Sequence, residues 1–135
     1  MKKYKIELTE YQLKALSSVL NKQARLIFGQ LDIAIEDECL EALVKHRHNG
    51  NYQDAYDDKE KLEDLLYQLK KLCWNQDKNA FYGVNYSDYS DMLIDMHEVI
   101  RHELWKEDNE RLNYTVDAYP AHHYGNEPLI KVEKL

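Results

Sequence analysis

Cysteine is scarce in this 135-residue chain: Cys39 and Cys73 stand far apart, and neither has a CxxC neighbour. A cysteine-rich zinc site and a dithiol redox motif are thereby excluded, and both thiols, set in apolar patterns, are expected to be free and buried. Long apolar runs are also missing, and MKKYKIELTEYQ has no apolar leader segment. The expectation is a single domain (1–135), soluble and cytoplasmic, with no membrane contact. Basic excess is missing too: 18 Lys and Arg face 25 Asp and Glu, a net charge of −7. DNA binding over a broad surface needs the opposite balance, whereas a small anion held by a few arginines does not.

Several catalytic signatures are absent. There is no GxSxG, Walker or GxGxxG loop, so nucleophilic hydrolysis and phosphate-loop chemistry have no support. His97-Glu98-Val99-Ile100-Arg101-His102 looks like a metalloprotease HExxH, but its histidines are five apart. That spacing turns them about 140° from each other around a helix, so one metal cannot take both. His122 and His123 are adjacent and point opposite ways on an extended loop. No metal site or cofactor is expected.

What the chain does have is tyrosine, 11 in all, suited to subunit interfaces or to stacking under a planar base. It also has strong helical periodicity. Over Ser87–Glu107, Met92, Leu93, Met96, Val99, Ile100 and Leu104 gather on one side, with Asp88, Asp91, Asp95, Glu98 and His102 on another. His97 and Arg101 lie between. This is a core helix with a solvated acidic face, or one whose Arg101 faces a ligand.

Near the N-terminus, Tyr4, Ile6 and Leu8 alternate as in a strand. Thr9-Glu10-Tyr11-Gln12 then forms a capping box, with Leu8 and Leu13 placed as a hydrophobic staple. The stripe Leu13, Leu16, Leu20, Ala24, Ile27, Leu31, Ile35, Cys39 and Leu43 predicts one long helix to about Lys45, with any bend at Gly29. Arg25 lies roughly 120° from Leu13, either facing solvent or facing a ligand that approaches the backbone beside Gly29. His46 to Asn51 is a polar turn. Asp57 or Asp58 caps a second helix striped by Leu62, Leu65, Leu66, Leu69, Leu72 and Cys73. The loop NQDKNAFYGVNY follows, its Phe81-Tyr82-Gly83 an interface plug or a stacking surface. Tyr114-Thr115-Val116 reads as a brief strand, DAYPAHHYGN as a loop and PLIKVEKL as a terminal strand. The expected architecture is mainly α (α+β): three principal helices, the first long, and a small antiparallel β ribbon pairing the N- and C-terminal strands.

Two sets of residues point to function. Glu38/Glu41 and Glu60/Glu63 with Asp64 resemble the ExxE faces of all-α, magnesium-dependent nucleotide pyrophosphohydrolases, with Asp88, Asp91 and Asp95 as a second face. The ordered segments LTEYQLKAL, ARLIFGQLD, FYGVNY, MHEVIRHELW, VDAYP and PLIKVE resemble the phage Thoeris anti-defence protein 1 family. That resemblance implies a homo-oligomer, dimer-based and up to a hexamer, in the cytoplasm of an infected bacterial host. It would sequester glycocyclic ADP-ribose made by TIR-domain defence proteins without cleaving it. Some members also hold cyclic di- or trinucleotides at a separate site. Carried over, the arginine of ARLIFGQ is Arg25, with Asn21 one turn before it, and the arginine of VIRH is Arg101. The aromatic before glycine is Phe81 or Tyr82, and the polar position after it Asn85 or Ser87. Tyr119, His122 and His123 are candidates to close over the sugars, where His122-His123 stands in place of an expected arginine and Arg47 is a third basic candidate. Guanidinium groups suit a pyrophosphate and an aromatic face suits a purine. An interaction protein whose tyrosines serve only assembly is the remaining reading.

Overall fold

Thr9 opens the first helix, α1 (Glu10–Ile27), with a reciprocal cap: its hydroxyl accepts the Gln12 N–H at 3.1 Å, and its own N–H donates to the Gln12 side chain at 2.9 Å. Such a cap needs only residues within one turn, so it forms as its spacing predicts. The structure, a computed structural model, describes residues 1–108 and 115–135. After α1 come α2 (Leu31–Ala34), α3 (Glu36–Ala42), α4 (Tyr52–Asp57), α5 (Lys59–Trp74) and α6 (Asp88–Glu107). A wider π turn, Leu43–Arg47, prolongs α3, and a 3-10 turn covers Val116–Ala118. Ser87 caps α6 by accepting the Ser90 N–H.

The predicted single helix to Lys45 is broken instead. Gly29 takes a φ of 87°, and the Trp74 ring packs so closely on it that an added Cβ would meet Trp74 Cγ at 2.9 Å. The indole Nε1 donates to the Ile27 carbonyl at 2.8 Å, ending α1 across 47 residues of sequence. The periodicity continues past Gly29, but the chain direction does not. Helix α4 fills the stretch between the expected turn and the expected second helix, where no element was predicted; Asn51 caps it by accepting the Asp54 N–H, and Asn49 and Gly50 take left-handed conformations just before it. Asp58 stands at the start of α5 but makes no side-chain cap there, because its carboxylate accepts from His48 at 2.7 Å and pairs with Arg47.

The β ribbon is overturned: no strand occurs among the described residues, and the fold is all-helical. Residues 1–8 lie exposed, Tyr4 and Ile6 included. At the other terminus the alternation is real but serves a different surface. Ile130 and Val132 turn inward as extended chain against the α1–α6 core, and helices rather than a neighbouring strand cover them. Two isolated strands have little to gain from pairing without a third or a packing face. Of the predicted strand at Tyr114-Thr115-Val116, Tyr114 lies outside the described residues, and Val116 starts the 3-10 turn.

The core lies between α1 and α6. Leu20, Ala24 and Phe28 of the first segment meet Leu93 and Ile100 of α6, with Leu13, Leu16, Ile27, Met92, Met96 and Leu104 around them. Ser17 meets His97, and the Phe28 carbonyl accepts the Tyr82 N–H just ahead of α6. The two helices therefore run antiparallel. The leucines of α5 are treated differently: Leu65, Leu69 and Leu72 are exposed, as is Cys73, while Cys39 is half-buried. The expected burial of both thiols fails because, among the described residues, nothing packs over the face carrying Cys73.

Candidate anion site between two antiparallel helices

Long side chains on a helix lean toward its N-terminus, so on antiparallel helices the heads of two arginines can converge. Arg25, in the last turn of α1, reaches back one turn: its Nε donates to Asn21 Oδ1 at 2.9 Å, and Nη1 donates to the Gln30 side chain. Arg101 on α6 likewise leans back, its Nη2 lying 3.8 Å from Glu98 Oε1. Arg25 feels the Arg101 charge. Burial is the main cause that lowers the Arg25 pKa, Asp32 opposes it, and Arg101 lowers it further. Two neutral amides orient Arg25, and no carboxylate among the described residues forms an ion pair with it. Such a charge, half-desolvated and positioned but not neutralised, suits an incoming anion.

Arg101 is more engaged. It is 25% exposed by side chain, and its Nε lies 3.1 Å from Asp117 Oδ1, an ion pair by distance although the N–H is not directed along it. One turn before Arg101 on α6 is His97, whose Nδ1 lies 2.7 Å from the Ser17 hydroxyl and 3.0 Å from the Ser17 carbonyl. Burial first, then Arg101 and Arg25, hold its pKa below the ordinary histidine value, against the Ser17 bond and Glu98. Sequence reasoning placed His97 between the two faces but assigned it no role, since its partner is 80 residues away.

The acidic side of α6 is not the solvated face that its pattern suggests. Asp95, 3% exposed, accepts the Tyr124 and Gly125 N–H groups, both at 2.8 Å. Asp91, 5% exposed, accepts the Asn85 N–H, and Asp88 accepts that of Asn126. Glu98 accepts the His122 N–H and approaches its ring Nδ1, and His102 Nδ1 lies 2.9 Å from the Asp117 carbonyl. These contacts tie residues 117–126 along α6 as a strap that runs toward its N-terminus. Gly125 allows the close approach, because a Cβ there would meet the Met92 nitrogen at 2.9 Å. The chain then returns, and Lys134 pairs with Glu107 at 2.9 Å. Its eight extended residues can span about 26 Å, close to the length of α6 at about 1.5 Å per residue.

The predicted site residues separate into three places. Asn21 and Arg25 are bonded together on α1, with Arg101 on α6 near enough to act on Arg25. Tyr119, His122 and His123 lie on the strap, with His122 stacked on Tyr124 and His123 Nε2 at 2.6 Å from the Glu127 carbonyl. Phe81 and Tyr82 lie at the far end of α6 from Arg101: Phe81 stacks on Phe28, and the Tyr82 hydroxyl donates to the Trp74 carbonyl. Asn85, at a φ of 72°, leads into α6 at that same end. The magnesium-site candidates do not converge. Glu38 pairs with Lys22, Asp91 and Asp95 already accept backbone N–H groups, and no metal-binding set of three or more His, Cys, Asp or Glu gathers among the described residues. No helix among those residues is long and apolar enough to cross a membrane. No family model matches the chain, and no match was found among curated proteins or solved structures.

Proposed function

We propose that this chain is a non-enzymatic sponge for a nucleotide pyrophosphate, of the kind its motifs resemble: it sequesters glycocyclic ADP-ribose without cleaving it and so blocks Thoeris signalling. The observation that carries this reading is that Arg25, half-buried at the end of α1, is held by the amides of Asn21 and Gln30 rather than by acids, with Arg101 of α6 near enough to lower its pKa. A pyrophosphate bridging two guanidiniums would satisfy both by charge-assisted hydrogen bonds. Among the described residues no cluster of metal-binding acids gathers, and retention is the chemistry that fits two guanidiniums.

The aromatic part of the site argues for more than one copy of the chain. Phe81, Tyr82 and Tyr86 are partly exposed, and they lie about 20 Å along α6 from Arg101, counting 13 residues from Asp88. A second protomer would bring such a platform to Arg101. The exposed α5 leucines supply a surface for that association.

The test is calorimetry of the purified chain with glycocyclic ADP-ribose, followed by denaturation and chromatography of the released nucleotide. Tight binding with intact ligand recovered is the expected result. A cleaved product would establish an enzyme, and absence of binding would end the proposal. Arg25→Ala and Arg101→Ala should each weaken binding by about 10- to 100-fold, the worth of one charge-assisted contact, while helicity persists.

A further inference from the structure

Helix α5 has two faces, and only one of them packs within the chain. At about 100° per residue, Lys70 lies about 140° around the helix from Leu65; it is 5% exposed, and its Nζ donates to the Lys78 carbonyl at 3.1 Å. Glu63, Leu66 and Tyr67 share that side and line a hollow with Leu31 and Glu36, so this is the face turned toward the rest of the fold. The opposite side carries Leu65, Leu69 and Leu72 within about 60° of arc, exposed by 62%, 43% and 82%. With half-buried Leu62 they recur in steps of three and four, the a and d positions of a heptad. Such a stripe is one half of the seam of a helix pair. Among the described residues no second helix lies on it.

We infer that α5 of a second copy of this chain occupies the stripe, antiparallel to the first and related to it by a two-fold axis level with Tyr67. The inference gives form to the association named above and stands whether or not a nucleotide binds. That axis sets Leu62 against Leu72 of the other copy, and Leu65 against its Leu69, each pair occurring twice. The charges beside the stripe select this partner and this direction. Lys61, Asp64, Gln68 and Lys71 run along one edge of it, all exposed. Asp64 and Lys71 have no ion pair among the described residues, whereas Lys61 is held by Asp58 of its own chain at 3.9 Å. An antiparallel two-fold pair brings this edge against itself in reverse order, so Asp64 meets Lys71 of the other copy at both ends. A parallel pair would lay the same edge against Leu66 and Cys73, which are uncharged. Self-complementary contact is the ordinary form of a homodimer interface, and opposite charges across it fix register more than strength.

One helix pair makes a small interface, so a dissociation constant of about 10–100 µM is expected, read by sedimentation of the purified chain from about 1 µM to about 500 µM. Asp64→Lys should raise that constant roughly tenfold, and adding Lys71→Asp to the same chain should restore it. Both side chains are exposed, so unchanged helicity is the control. Direction is read by disulfide trapping in a Cys73→Ser background. An antiparallel pair links a Leu65→Cys chain to a Leu69→Cys chain in preference to linking either with its own kind. A chain that stays monomeric throughout, a dimer indifferent to both charge reversals, or crosslinks of like with like would overturn the inference. So would a dimer that gives no such crosslink and dissolves when Tyr4 and Ile6 of the exposed N-terminal segment are changed to serine, which would assign the association to that segment. A dimer that binds no nucleotide would keep this inference and end the sponge reading; a monomer that binds one would do the reverse.

Discussion

Ile100 on α6 is wholly buried whereas Leu72 on α5 is 82% exposed, although both belong to apolar stripes of similar helical spacing. The difference lies in what covers each helix. Helix α6 has α1 on one side, the strap 117–126 along its acidic side, and Ile130 and Val132 of the returning chain on the core. Helix α5 lies against α2, α3 and α4 and leaves Leu65, Leu69 and Leu72 uncovered. An amphipathic pattern states that a face wants burial. It does not state whether the same chain will provide the cover.

The most severe way to break this contrast is to truncate one residue on each side of it. Ile100→Ala should cost about 4 kcal/mol by losing apolar burial and leaving a cavity, and Leu72→Ala should stay within about 0.5 kcal/mol in the single chain. Urea unfolding of both variants checks this; equal losses would mean that the α5 face is covered within one chain. Next in size is the strap. Asp95→Ala strands two N–H groups, one of them on buried Gly125, and should cost about 3 kcal/mol; Gly125→Ala, which forces a Cβ into Met92, should cost about 2 kcal/mol. Amide exchange at residues 124 and 125 should accelerate in both variants before the α1–α6 core opens.

On the uncovered side, Leu65→Lys combined with Leu69→Lys should leave the melting temperature of the isolated chain nearly unchanged and reduce the molar mass in light scattering, since charge at a face between copies opposes association. An unchanged mass would remove α5 from the interface. The smallest effect concerns Glu36. Burial and the facing Glu63 hold its carboxyl above the ordinary value of 4.5. The unfolded chain releases that proton first, so stability falls as pH rises from about the ordinary value through the folded one, and the full penalty persists above it. Glu36→Gln should therefore stabilise the protein slightly at neutral pH and have no effect in acid, as measured by thermal melts across pH.

How much could be read in advance depended on range. The Thr9–Gln12 cap and the Ser87 cap were legible because donor and acceptor lie within one turn. The break after α1 was not, because Gly29 alone permits either a bend or an end, and Trp74 decides between them from the far end of α5. Arg25 and Arg101 could be named as cations beside their stripes. Their electrostatic contact follows from the antiparallel register of α1 and α6, which no local pattern contains. Asp91 and Asp95 were misread as solvated because their partners are backbone N–H groups of distant loops, and backbone donors leave no mark in residue identity.

By itself, then, the sequence determined where α1 and α6 begin, which faces are apolar, and which side chains carry charge, since each depends on neighbours a turn or two away. Only the tertiary structure decided that the acidic side of α6 binds a strap, that the terminal alternation packs on helices rather than in a sheet, and that Arg101 comes near enough to Arg25 of another helix to act on it. Those outcomes depend on which surfaces meet, and a polar group at a given spacing accepts whichever distant donor the packing delivers.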